Sequence, residues 1–472
     1  MSKVEYKNTL IKDIGRVVTG KTPETKKAEF YGNGYMFITP AELHDGYNVQ
    51  VSDKYITESG LQSIKFNCID GTSVMVGCIG WDMGNVAICH RKCATNQQIN
   101  AITDFNPKYN PFYTYYWLLT KKDYLFTIAS VTRTPILSKS TFEEIVIPMP
   151  DRSIQDNVVG ILKPIDDMME NNKRICSELE SMAKTLYDYW FVQFDFPDEN
   201  GNPYCTSGGE MVWNEQLKRK IPKGWKHIEY SDLVDIENSS INPSSFGETL
   251  MEHYSIPAFD EDCMPAFDIA ATIQSGKYKV LKESFLVSKL NPQFKRIWNP
   301  YCLTDNAICS TEFMVYKPKN ITLRPICYAI ANSDGFYNHM VSKAISSTGS
   351  RKRIQPDVSI QYSLAFPLDR FIVDRFCSHY SPIMEKIKKA RLENYELKKL
   401  RDWLLPMLMN GQATVVDAEE EESGKVISYT PQTVEVRQAA RNFGDKETDD
   451  TADLVQAYLR RKQHDSKTQN RN

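Results

Sequence analysis

No apolar run in this 472-residue chain approaches the ~20 residues that span a bilayer. Its opening, MSKVEYKNTLIKDIG, lacks the apolar core of a secretory signal. The 11 cysteines are scattered without a regular framework, so they read as reduced thiols of a cytoplasmic protein. No Walker-type phosphate loop is present, which argues against ATP turnover by the chain itself. Neither sign of charge is in excess: 57 Lys+Arg against 60 Asp+Glu give a net charge of -3. A strong non-specific binder of nucleic acid would carry a large basic surplus. A reader of particular bases with local basic loops stays open.

What the chain does have is one long-range repeat. Ile11-Lys12-Asp13-Ile14-Gly15 opens a block, and Tyr230-Ser231-Asp232-Leu233-Val234 opens a second, 219 positions later. Ile145-Val146-Ile147-Pro148 closes the first, and Leu364-Ala365-Phe366-Pro367 closes the second at the same offset. A period of this size means two similar modules, not a solenoid. Short β-branched pieces such as Met75-Val76, Val86-Ala87-Ile88 and Ile99-Asn100-Ala101-Ile102, with a helix expected from Pro111 to Leu125, make each block mixed α and β.

Each block runs into a long heptad pattern. Val158, Ile161, Ile165, Met168, Asn172, Ile175, Leu179, Met182, Leu186 and Tyr189 alternate steps of three and four. Asn172 reads either as a solvent-facing irregularity or as a polar register-setter. Ile383, Ile387, Ala390, Asn394, Leu397, Leu400, Leu404 and Leu408 mark the second helix, with Gly411 as a stop signal. The expected fold is therefore α+β. Two similar mixed α/β domains, 1–151 and 226–369, are joined by two long helices, 152–191 and 370–412, in an antiparallel coiled coil with a pseudo-twofold internal repeat. A turn-rich linker, 192–225, separates them. An acidic tail, 413–472, is expected to be mostly disordered, with one short helix near 453–462.

Catalytic signatures are weak. Asn110-Pro111-Phe112-Tyr113 differs at one position from the Asn-Pro-Pro-Tyr loop of amino-methyltransferases, and Asn-Pro is a common helix opener. Asp13 with Glu24-Thr25-Lys26 matches a nuclease spacing only loosely. Cys78, Cys89, His90 and Cys93 contain a single tight pair, so buried thiols fit better than zinc. No catalytic or metal-ligating residue is assigned. The loops are more informative. Lys21, Thr22 and Lys26 make a cationic loop after Gly20. Asn96 and Gln97 present amides, which pair bidentately with adenine. Arg133 and Thr134, after Thr132, precede the first closing strand, and Thr348-Gly349 with Ser350, Arg351, Lys352 and Arg353 precedes the second. Adding 219 to Arg133 gives Lys352, which suggests two equivalent contact surfaces.

Four stretches resemble the specificity subunits of type I restriction-modification systems, over about residues 8–412. They are Ile14-Gly15…Thr19-Gly20-Lys21-Thr22-Pro23 with Ile38-Thr39-Pro40, and Ile154-Gln155-Asp156…Ile161-Leu162…Ile165-Asp166-Asp167. The others are the Trp190-Phe191 to Trp225 linker with Gly208-Gly209-Glu210-Met211-Val212-Trp213, and Leu404-Leu405-Pro406-Met407-Leu408…Gly411. The second block departs from the pattern: Asn238-Ser239-Ser240-Ile241-Asn242-Pro243 stands where a Gly-x-Thr-Pro loop is expected.

The resemblance implies a non-catalytic DNA-binding subunit whose two target recognition domains each read half of a split, asymmetric sequence in double-stranded DNA. It implies that the helices set the unread gap and dock two methyltransferase subunits, with two motor-nuclease subunits joining the complex. The chain would bind no cofactor; S-adenosylmethionine, ATP and Mg²⁺ would serve the partners. Ile165, Ile175, Leu179, Met182, Leu186, Ile387, Leu397 and Leu404 are the expected residues of helix pairing and docking. The competing readings are a stand-alone nuclease or methyltransferase, and a coiled-coil scaffold that binds only protein.

Overall fold

The computed structural model describes residues 5–44, 47–131, 133–346, 351–417 and 425–429. They fall into two compact units, residues 1–170 with 397–472, and residues 171–396. The expected helix near 453–462 lies outside the described residues, as does most of the acidic tail. The described part of that tail is not irregular: Ala413–Asp417 and Lys425–Tyr429 pair antiparallel, as segments rich in the strand-favouring Val, Ile, Thr and Tyr do.

The first unit closes on its own beginning. Strand Lys7–Leu10 pairs antiparallel with Val146–Met149, the last strand before the first long helix. Between them lie two sheets. One has the spatial order Arg16–Thr19, Ile99–Thr103, Ser73–Gly77, Val86–Cys89, all antiparallel. The other has the order Tyr55–Ile56, Tyr31–Ile38, Cys93–Thr95, Cys68–Ile69, in which Tyr31–Ile38 and Cys93–Thr95 run parallel. The aromatic helix expected from Pro111 to Leu125 is two helices, Pro111–Leu119 and Lys122–Ile128. The chain breaks at Thr120, whose amide and hydroxyl both return to the Trp117 carbonyl. Tyr113, Tyr116 and Leu118 of the first helix fill the core with Val74, Ile88, Ile102 and Phe142.

The second unit repeats this plan strand for strand. Trp225–Glu229 pairs with Ser363–Pro367. One sheet has the order Val234–Ile236, Phe313–Pro318, Phe285–Ser288, Ile297–Trp298. The other runs Ala266–Ile269, Leu250–Tyr254, Ala307–Ser310, Lys277–Lys279, with its parallel pair again in the middle. It gains one edge strand, Ser240–Ile241, where the first unit has its Gly20–Pro23 loop. Residues 192–225 are anchored as well as turned. Phe194, Phe196 and Trp225 join the core of the second unit, and Phe196 stacks on Trp225 at 5.3 Å.

The long helices are Arg152–Tyr187 and Arg370–Met409. Gly411, at φ +68°, ends the second in the left-handed conformation that suits glycine. In the first unit Val158, Ile161, Leu162 and Ile165 pack with Leu397, Leu404, Leu405 and Leu408. In the second unit Asn172 is buried and donates to Glu393 (3.2 Å), and Cys176 donates to the Ile387 carbonyl (3.7 Å). Partner numbers fall as position numbers rise, so the helices are antiparallel there. The buried line departs from the expected seam. It passes through Cys176, Ala183 and Tyr187, while Ile175, Leu179, Leu186 and Ile387 are half-buried and Met182 is 58% exposed. A straight helix turns 3.6 residues per cycle, so a 3.5-residue stripe drifts off the interface within two heptads. The small Cys176 and Ala183 accept that drift.

One buried charge pair stands in the first unit. Arg401 donates to Asp166 at 3.0 Å, and the Tyr116 hydroxyl donates to the other carboxylate oxygen at 2.7 Å. The Asp166 side chain is 1% exposed. Burial raises the Asp166 pKa despite Arg401 and Tyr116. Arg401→Met strips the carboxylate of its cation, and the expected cost is about 3–5 kcal/mol. It is read as a lowered urea midpoint, largely restored in Asp166→Leu/Arg401→Met. An unchanged midpoint in the single variant contradicts this account.

Candidate nucleic-acid interface

The predicted loop residues of the first unit meet along one edge. Gly20 N–H donates to the Ile99 carbonyl (3.0 Å) and Lys21 N–H to that of Thr95 (2.9 Å). Both bonds lay the cationic loop against the turn that carries Asn96 and Gln97. Close approach demands glycine at 20, since a Cβ there would sit 2.1 Å from the Asn96 carbonyl oxygen. Thr22 Oγ1 donates to Gln97 Oε1 (2.8 Å), which leaves the Gln97 N–H pair as the available donor. Asn96 is spent internally: its Oδ1 accepts from Gln98 N–H (3.1 Å) and its Nδ2 donates to Gln98 Oε1 (2.8 Å). Lys26 is exposed beside the Glu24–Lys27 pair.

A third segment joins this edge through a backbone chain. Cys78 N–H donates to the Gln98 carbonyl (2.7 Å), and the Cys78 carbonyl accepts from Leu137 (2.9 Å). That bond holds the hairpin Ser130–Val131/Pro135–Ile136, with exposed Arg133 and Thr134 at its turn. Thr132 lies outside the described residues.

The second unit builds the same edge from different side chains. Lys289 N–H donates to the Glu312 carbonyl (2.9 Å), and its carbonyl accepts from Ile354 (3.1 Å). Glu312 thus takes the place of Gln98, and Lys289 that of Cys78. The hairpin Ile345–Ser346/Lys352–Arg353 takes the place of the first unit's hairpin. The hydrogen bonds correct the expected equivalence. Asn291 N–H bonds the Lys352 carbonyl (2.7 Å) as Gly80 N–H bonds that of Pro135 (3.0 Å). Lys352 therefore matches Pro135 and not Arg133. A fixed offset of 219 fails because loop lengths differ before each hairpin. Ser350, Thr348 and Gly349 lie outside the described residues.

Arg353 is not free. It forms a two-pronged pair with Glu312, at 2.7 and 3.1 Å. The hydrogen bond from Arg353 lowers the Glu312 pKa; burial opposes it, and Lys289 and Arg351 add to the lowering. A lowered carboxylate pKa means the pair is complete above the usual glutamate range and is lost as pH falls through the folded-state value. At neutral pH Arg353 stays engaged, and Arg351 and Lys352 are the exposed cations.

Two exposed aromatics lie in the loops beside these edges and were not singled out in the sequence. Trp81 is 71% exposed in the loop after Cys78 and packs on Phe126 at 6.0 Å. Phe294 is 55% exposed in the matching loop after Lys289, under the Arg296 guanidinium at 5.1 Å. Their loops are recognisable only once the two edges are superimposed by hydrogen bonding.

The weak motifs have structural uses. Asn110 caps its helix by accepting from Phe112 N–H (2.9 Å) and donates to Asp156 (2.6 Å). Cys89 and Cys93 lie 3.7 Å apart, His90 bonds Thr72 (3.0 Å), and burial pushes the Cys78 thiol up to about 12. Among the described residues, no three His, Cys, Asp or Glu side chains gather as a metal site.

Gly20→Ala should open the loop-to-turn contact. Amide exchange at Lys21 is expected to rise at least tenfold, while Gly276→Ala, whose nearest neighbour would be 3.8 Å away, changes little. Unchanged protection at Lys21 in Gly20→Ala refutes the packed geometry.

The chain is similar to several known proteins. The family description "Type I restriction modification DNA specificity domain" matches residues 3–181. The MjaIX type I restriction enzyme specificity subunit of Methanocaldococcus jannaschii is 26% identical over 430 residues, 86% of this chain and 93% of that protein. The HindI specificity subunit of Haemophilus influenzae is 32% identical over 175 residues, 34% of this chain and 37% of that protein. The crystal structure of a type I restriction-modification S subunit from M. genitalium has a TM-score of 0.57 at 13% identity, covering 86% of this chain and 97% of that one; it supports the fold. Two blocks of one topology, their long helices and these likenesses make the chain similar to type I restriction-modification specificity subunits, with the family's own description matching residues 3–181.

Proposed function

We propose that this chain is the sequence-reading, non-catalytic subunit of a type I restriction-modification complex, each unit contacting one half of a split DNA target. The observation that carries this reading is the edge built twice on one backbone plan with unlike chemistry. The first edge offers Lys21, the Gln97 amide and Arg133. The second offers Arg351, Lys352 and the Arg353–Glu312 pair. One frame with two chemistries suits an asymmetric target, since phosphate contacts position a protein while base edges specify sequence. The helices would hold the gap between half-sites.

Docking of two methyltransferase subunits, which would bring S-adenosylmethionine chemistry, is supported by a second repetition. Tyr187-Asp188-Tyr189-Trp190-Phe191 matches Arg401-Asp402-Trp403-Leu404-Leu405 in burial. Trp190, Phe191, Leu404 and Leu405 are buried, while Tyr189 and Trp403 are 40% and 44% exposed. Each unit thus carries one exposed aromatic at a matching position, Tyr189 in the turn Asp188–Val192 that follows the first long helix and Trp403 near the end of the second. Ile165, Leu397 and Leu404 are interior and would act by fixing helix pairing; Met182 is available to a partner. Motor-nuclease subunits using ATP and Mg²⁺ would join through that assembly.

Long-read methylation mapping of the host, with and without this gene, tests the reading. Loss of N6-methyladenine at a two-part motif with a fixed gap is expected. Unchanged methylation, with no methyltransferase co-purifying, overturns it. On the target duplex, Lys352→Ala should weaken binding and reduce the salt slope by about 1. Equal slopes for variant and parent exclude Lys352 from phosphate contact.

A further inference from the structure

The second unit contains a cavity of about 490 Å³ between its helices and its α/β block. Glu180, Lys184, Met384, Lys388 and Arg391 line the helical wall, and Lys295, Tyr301, Tyr328 and Asn332 the facing wall. Four cations and one carboxylate thus line the space. Two cations are committed: Arg391 to Glu180, and Lys184 to Asp188 (2.7 Å) and Asp334 (2.9 Å). Lys295 donates to the Asn332 carbonyl, and Lys388 lies 5.8 Å from the centroid of the Tyr301 ring. Neither lysine has a carboxylate within ion-pair distance among the described residues. Lys295 is exposed and Lys388 half-buried, and partial burial lowers the pKa of both, so the cavity holds cations in excess of its one carboxylate.

Like charges gathered around one partly dry space repel one another, and an anion bound among them offsets that cost. The volume falls in the range of small-molecule sites. Tyr301 and Tyr328 add aromatic surface beside the charges, which suits a ligand with a flat ring as well as an anionic group.

We infer that this cavity binds a nucleoside phosphate, the phosphate between Lys295 and Lys388 and the base against Tyr301 and Tyr328. The site is separate from the DNA-reading edge and does not rest on that reading. Its occupant would sit where helix and block meet, the contact that any subunit gripping the helices would load.

Isothermal titration of the full chain with AMP, adenosine and inorganic phosphate tests this. AMP is expected to bind with one site per chain, and adenosine and phosphate each at least tenfold more weakly. Lys295→Met and Lys388→Met should each weaken AMP at least tenfold, while Lys388→Arg retains binding and Lys352→Ala is neutral. Circular dichroism melting confirms that the variants fold. If both methionine variants fail to fold, a Tyr328→Leu variant still reads the aromatic contact, with at least a fivefold loss expected. No AMP binding by the parent chain overturns the inference. So does adenosine binding as tightly as AMP, or AMP affinity unchanged in the folded variants.

Discussion

The pairing of the first and last strands governs each unit. Lys7–Leu10 with Val146–Met149, and Trp225–Glu229 with Ser363–Pro367, bring the end of each block back to its start just before the chain enters a long helix. The loop-closure entropy of such a pairing is paid once for about 140 residues and grows only slowly with length. Insertions between the two strands are therefore tolerated. That is why the two blocks keep one topology while their loops differ in length and chemistry. It is also why each helix leaves its block at the same point. Arg152 bonds Asp156 and Arg370 bonds Asp374, both at 2.8 Å, at the first turn of each helix.

Conserved frame and variable edge are separable physically. The edge is assembled from backbone hydrogen bonds, Cys78 to Gln98 and Leu137 in one unit, Lys289 to Glu312 and Ile354 in the other. Backbone bonds do not care which side chain is carried. Gln98 can become Glu312, and Pro135 can become Lys352, without loss of the scaffold. Gly20 is the exception, where contact with the next segment leaves no room for a Cβ. The second unit has no such loop and spends the same stretch on an extra strand, Ser240–Ile241.

The parts legible in the sequence were those with long-range periodicity. The repeat, both helices and the opening and closing strands have apolar patterns that local packing enforces. Lys21, Thr22 and Gln97 stood out because loop chemistry and turn chemistry are both visible in the string, and the fold lays these segments side by side. Glu312 could not, since an acid in a turn reads as solvated until Arg353, 41 positions away, is brought to it. The match of Arg133 with Lys352 failed for a related reason: counting positions ignores insertions, whereas a hydrogen-bond register does not. The helix seam drifted because a 3.5-residue count is only local for a 3.6-residue helix. Met182 therefore turned outward and Ala183 inward.

The two halves of the helical pair solve one problem in opposite ways. Counting from the Arg152–Asp156 and Arg370–Asp374 pairs, and passing Pro164 and Pro382 two residues earlier, Asp166 corresponds to Met384. By the matched helix ends, Arg401 corresponds to Tyr187. The first unit thus buries a carboxylate–guanidinium pair where the second buries a thioether and a phenol. Replacing a buried ion pair by apolar groups is often neutral or stabilising, whereas separating its members costs about 3–5 kcal/mol. The pair's contribution is therefore to register more than to net stability. A helix slipped by one turn would set Asp166 against apolar side chains and leave Arg401 without its carboxylate. The second unit ties its helices with polar contacts of its own, Asn172 to Glu393 and Arg391 to Glu180.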